Sequence, residues 1–79
     1  MIHEHQRIVL TKAVPAERLE AGDVGTVVHA YSDGSAYEVE FVTLGGHTVA
    51  VVTLEAINIR SVNNREIPHA RELVSTWTI

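Results

Sequence analysis

The chain has 79 residues, a formal charge of −4 and no cysteine. This length allows one domain, close to the lower limit for a self-supporting core, and the missing thiols exclude disulfides and thiolate metal sites. No apolar run approaches the ~18–20 residues of a membrane-spanning helix, and the opening MIHEHQR lacks a signal peptide's apolar stretch, so a cytoplasmic protein is expected.

Taken in order, the signals have mostly period two, with turns at short spacing. Ile8-Val9-Leu10-Thr11 reads as a first strand, and Pro15 ends it; Pro15–Leu19 then reads as a single helical turn with proline in a tolerated early position. The stretch AGDVGTVV, residues 21–28, follows. Gly22 and Gly25 suit a positive φ or a close backbone approach at the start of a bent strand, and the Asp23 carboxylate suits capping of neighbouring amides. A phosphate-cradling loop would need a third glycine, a lysine and a following helix. The strand itself is expected over Gly25–Tyr31.

Asp33-Gly34, inside Ser32–Ser35, is a strong hairpin signal. Tyr37-Glu38-Val39-Glu40-Phe41 then alternates, with Tyr37, Val39 and Phe41 on one face and Glu38 and Glu40 on the other. Gly45-Gly46 makes a second turn into Thr48–Leu54, a strand apolar on both faces: Ala50, Val52 and Leu54 against Val49 and Val51. A turn at Glu55-Ala56 leads to a last strand, Ile57–Arg60. The expected fold is all-β, a small SH3-like five-stranded barrel over residues 8–60 of a single domain spanning 1–79. Its expected core is Val9, Leu19, Val27, Tyr37, Val39, Phe41, Leu54 and Ile57. Residues 61–79 form a C-terminal extension, either a short helix from Pro68 to about Val74 or an extra strand over Leu73–Ile79.

The ordered set Val9-Leu10-Thr11-Lys12, Pro15, Leu19, Gly22-Asp23-Val24-Gly25-Thr26-Val27-Val28, Tyr37-Glu38-Val39-Glu40-Phe41, Gly46 and Thr53-Leu54 resembles a family of small bacterial proteins known as domain of unknown function 4926. The resemblance covers about two thirds of the chain. It implies a small stand-alone domain with no catalytic residues to carry over. It also implies a second small protein as partner, in a pairing of toxin–antitoxin type. The LEAGDVGTVV segment also resembles the glycine-centred turn of SH3-like modules in ribosomal and transcription proteins.

Charge weighs on the choice of function. Residues 1–55 carry three basic against eight acidic side chains, a balance of −5, whereas residues 56–79 stand at +1. Nucleic-acid binders depend on neutralising phosphate, so a body this acidic is expected to bind none; a nucleic-acid- or ribosome-associated SH3-like module is the alternative reading. His3 and His5 would share a face if residues 2–6 were extended, making them the candidate metal ligands, with Glu4 turned away; a small metal-dependent enzyme is the second alternative. Two ligands make an incomplete site. Neither Glu38 with Glu40 nor any serine has the surroundings of a catalytic group, so no catalytic residue and no cofactor are expected. The leading expectation is a non-catalytic protein–protein interaction module, the antitoxin- or immunity-like or accessory member of a small two-protein system. Its contact residues would be Glu38, Glu40, Val49, Val51, Trp77 and Ile79. The partner would be a basic protein or a second copy of the chain, and no membrane is involved.

Overall fold

Strands form where β-branched and aromatic residues alternate or run together, and they break at each glycine- or proline-bearing turn. The computed structural model describes residues 2–73. It contains five strands: β1 (Arg7–Leu10), β2 (Val24–Ala30), β3 (Ala36–Val42), β4 (Thr48–Glu55) and β5 (Ile59–Ser61). All pairings are antiparallel, in one sheet of order β4-β3-β2-β1-β5. No hydrogen-bonded ladder joins β4 to β5, so the sheet is not closed. Among the described residues there is no α-helix. The expected turn after Pro15 is a 3-10 turn, Pro15–Glu17, and a second one, Ala56–Asn58, links β4 to β5.

The two glycines of AGDVG act differently. Gly22 has φ +99° and occupies the third position of a turn closed by the Asp23 N–H donating to Glu20 O at 3.0 Å, where positive φ is needed. Asp23 Oδ2 accepts the Glu20 N–H at 2.8 Å, the amide capping expected of it. Gly25 sits buried in β2, where a Cβ would lie 2.5 Å from Val39 Cγ1, 2.9 Å from Phe41 Cε1 and 3.0 Å from Glu40 O. A close approach, not a dihedral angle, selects glycine there.

One face of the sheet carries the core: Ile8, Leu10, Leu19, Val27, Tyr37, Val39, Phe41, Leu54 and Ile59. Seven of the eight expected core residues are buried. Ile57 is the exception, 83% exposed against 6% for Ile59. The last strand begins two residues later than expected because Ala56–Asn58 coils into a 3-10 turn. With three residues per turn, Ala56 packs on the core and Ile57 swings into solvent.

Val9 points away from the core, by alternation with Ile8 and Leu10, yet it is also buried. Its cross-strand partners are Arg60 and Val24. Arg60 binds Glu66 through two hydrogen bonds, at 3.0 and 2.6 Å, and Asp23, next to Val24, binds Arg71 at 2.9 and 2.6 Å. The extension between Glu66 and Arg71 is therefore tied down on either side of Val9. Residues 68–73 are irregular and not the expected helix: these side-chain anchors, rather than an apolar helical stripe, hold them. The alternative strand over 73–79 lies outside the described residues apart from Leu73.

Candidate functional site

The outer face of β2, β3 and β4 gathers the acidic residues that the alternation of β3 turns away from the core. Register sets them in rows. Glu40 lies between Thr26 on β2 and Val51 on β4, and Glu38 lies between His29 on β2 and Thr53 on β4. Both carboxylates are half-buried and hold hydroxyl donors. Tyr31 Oη donates to Glu38 Oε2 at 2.6 Å, and Thr48 Oγ1 donates to Glu40 Oε2 at 2.8 Å. By accepting this hydrogen bond, the Glu38 carboxylate pushes the Tyr31 phenol up from its ordinary value. Around the two acids stand exposed apolar side chains: Val24, Val28, Val42 and Val51, the last 54% exposed.

Two irregularities shape this face. A bulge between Val27 and His29 displaces Val28 from the ladder and strengthens the local twist. A second irregularity, between Phe41 and Val42, accompanies the packing of Val49 against the core. Val49 therefore does not join Val51 on the outer face, as strict alternation would require. Of the expected contact residues, the structure brings together Glu38, Glu40 and Val51. Trp77 and Ile79 lie outside the described residues.

The N-terminal segment is not extended. His5 adopts φ +72°, the Gln6 N–H donates to His3 O at 3.2 Å, and the His3 N–H donates to Gln6 Oε1 at 3.0 Å. This tight turn removes the geometry that would set His3 and His5 on one face. It also reverses the expectation for Glu4, which folds onto β2: its Oε2 lies 3.5 Å from His29 Nδ1 and accepts the Ala30 N–H at 3.3 Å. His29 in turn meets Tyr31 edge-on, with ring centroids 4.6 Å apart. Among the described residues, no three His, Asp or Glu side chains cluster so as to hold a metal ion. An open depression of about 530 Å³ lies beside this segment, with Glu4, Tyr31, Asp33 and Tyr37 on its rim.

Sequence reasoning missed His29 as the cross-strand neighbour of Glu38 and Glu4 as the neighbour of His29. The pairing of His29 with Glu38 could have been found by counting outward from the Asp33-Gly34 turn, since residues equidistant from a hairpin turn face each other. It also missed the binding of Asp23 by Arg71, for which a separation of 48 residues leaves no local signal. Asp23 is 18% exposed and Arg71 26%. Burial alone would raise the Asp23 carboxyl, but hydrogen bonds from Arg71 and the Glu20 amide outweigh it and hold it below its ordinary value. Arg71 also donates to Arg18 O at 3.0 Å.

These features define a small all-β domain whose single antiparallel sheet buries one face and presents an acid-centred one. The chain belongs to the family described as domain of unknown function (DUF4926), whose sequence model matches residues 4–61. The match takes in all five strands and Asp23, and stops short of Arg71. No curated protein and no solved structure matches the chain.

Proposed function

We propose that this chain is a non-catalytic protein–protein interaction module that takes a basic protein partner on the outer face of β2, β3 and β4. One observation carries the reading: Glu38 and Glu40 stand half-buried among exposed Val24, Val28, Val42 and Val51, on a body whose first 55 residues have a balance of −5. Apolar area supplies contact, and the fixed carboxylates select the sign of the partner's charge. In this reading the sheet is that of an SH3-like barrel, supported by the meander of four strands, the return of β5 to pair with β1, and the 3-10 turn between β4 and β5. The setting is cytoplasmic and bacterial, and the chain acts as the antitoxin-like or accessory member of a two-protein system, as the family resemblance implies. No described helix is long and apolar enough to cross a membrane.

The test is affinity capture from the source cell with the wild-type chain and with a Glu38→Lys/Glu40→Lys variant. Both side chains lie on the outer face, so the variant keeps the core. A basic protein retained by the wild type and lost by the variant is the expected result. Equal retention by both, or retention of nothing basic, refutes the reading.

A further inference from the structure

The C-terminal extension crosses the outer face of the sheet, and one side chain anchors its far end. Arg60 on β5, Val9 on β1 and Val24 on β2 stand in one row, paired strand to strand. Glu66 binds Arg60 at one end of that row, and Arg71 binds Asp23, beside Val24, at the other. From Val62 to Glu72 every residue is exposed except Arg71. Val9, which points outward between the two anchors, is only 6% exposed.

Four acceptor atoms converge on the Arg71 guanidinium. Nε donates to Asp23 Oδ1 at 2.9 Å, and Nη2 donates to Asp23 Oδ2 at 2.6 Å and to Arg18 O at 3.0 Å. Glu20 Oε2 lies 3.6 Å from Nη1. The frame that holds these acceptors is built without Arg71. Arg18 takes φ +61° and donates its N–H to Pro15 O at 3.0 Å. Val14 and Leu19 exchange backbone hydrogen bonds at 3.0 and 3.1 Å, and Asp23 O accepts the Leu10 N–H at 2.9 Å. Arg18, Glu20 and Asp23 lie within the stretch that the family model matches, whereas Arg71 lies beyond it. The domain carries the acceptors, and the extension carries the arginine. A forked contact of this kind selects guanidinium over ammonium, because two nitrogens of fixed geometry meet both carboxylate oxygens at once.

We infer that Asp23, Glu20 and the Arg18 carbonyl form an arginine site of the domain, that Arg71 fills it in cis, and that an arginine of the basic partner displaces Arg71. Segments with exposed backbone and few buried contacts open without unfolding the rest, so the extension lifts off Val9 when Arg71 leaves. Val9 then joins exposed Val24, and the contact face spreads from β2 onto β1. Displacement by a partner rests on the basic-partner reading; the arginine site and its opening do not.

The chain has no cysteine, so a thiol introduced by Val9→Cys in the full chain is unique, and its labelling rate under native conditions reads opening of the extension. Leu10→Cys, at a fully buried position facing the core, reads global unfolding. The Val9→Cys thiol should react at least tenfold faster than the Leu10→Cys thiol, and Arg71→Ala should speed the Val9→Cys reaction about tenfold further. N-acetyl-arginine amide should speed labelling of Val9→Cys in proportion to its concentration and leave Leu10→Cys unchanged. N-acetyl-lysine amide at the same ionic strength should do neither, and Asp23→Asn should abolish the arginine effect. A Val9→Cys thiol that reacts no faster than that of Leu10→Cys, arginine and lysine probes that act alike, or an arginine effect that survives Asp23→Asn overturns the inference. None of these measurements uses the partner, so if affinity capture returns no basic protein, the basic-partner reading fails while the arginine site is judged by labelling alone.

Discussion

Adding one methyl group at Gly25 tests why β2 begins as it does. The new Cβ would lie 2.5 Å from Val39 Cγ1 and 2.9 Å from Phe41 Cε1, where carbon atoms normally rest about 3.5–4.0 Å apart. Neither neighbour has room to retreat, since Val39 is fully buried and Phe41 nearly so; the third contact, Glu40 O at 3.0 Å, is backbone. Overpacking of this kind costs about 1–3 kcal/mol. Alanine's advantage over glycine in a strand, about 0.5–1 kcal/mol, offsets part of that, and the mid-range values leave a net loss of about 1 kcal/mol for Gly25→Ala. At ~0.05–0.15 kcal/mol per residue the whole domain holds only about 4–12 kcal/mol, so the loss is readily measured by urea denaturation. Val39→Ala alone, which empties a core position, costs about 2–3 kcal/mol. The double variant removes the 2.5 Å clash while keeping the contact with Phe41, and should be more stable than the sum of the single losses predicts, by about 1 kcal/mol. A Gly25→Ala variant within about 0.5 kcal/mol of wild type, or strict additivity with Val39→Ala, refutes the close-approach reasoning.

Ile57→Ala should change stability by less than about 0.5 kcal/mol, while Ile59→Ala should cost about 2–4 kcal/mol; thermal unfolding separates the two, and the reverse order would restore a strand beginning at Ile57. Arg71→Ala should cost about 1–2 kcal/mol at neutral pH, as befits a partly buried bidentate pair. Asp23 holds its proton less tightly in the folded chain. Its contribution is therefore complete above the unfolded carboxylate range, near 4, and disappears as pH falls through the lower folded-state value. Unfolding of wild type and Arg71→Ala should converge below that value to the small difference left by the Arg71 hydrogen bond to Arg18 O, and a difference that does not shrink in acid would exclude Asp23 as the partner that matters. Glu66, held down to about 2 by Arg60 and the Asn63 amide, stays ionised over most of that range, so the convergence reports on Asp23. The chain should bind neither duplex DNA nor RNA at ~0.15 M salt, and saturable binding in a fluorescence titration would count against the acidic-face reading.

Local chemistry in the sequence determined the strands and hairpins of this protein. Period-two alternation over residues 37–41 faced Tyr37, Val39 and Phe41 inward and both acids outward, because a pleated chain has no other choice. Asp33-Gly34 and Gly45-Gly46 marked the two hairpin turns, and AGDVG announced positions where a side chain or negative φ would not fit. Tertiary structure decided whatever depends on residues distant in sequence or on a break in period. The 3-10 turn that expels Ile57 and seats Ile59, and the irregularity that leaves Val49 packed on the core, each shift a side chain's facing where alternation alone foresaw none. The return of β5 to β1 and the grip of Arg71 on Asp23 join residues about 50 positions apart, and no local preference encodes such a contact. The same holds for Glu4, which an extended N-terminus would have turned away and which a tight turn instead folds onto His29.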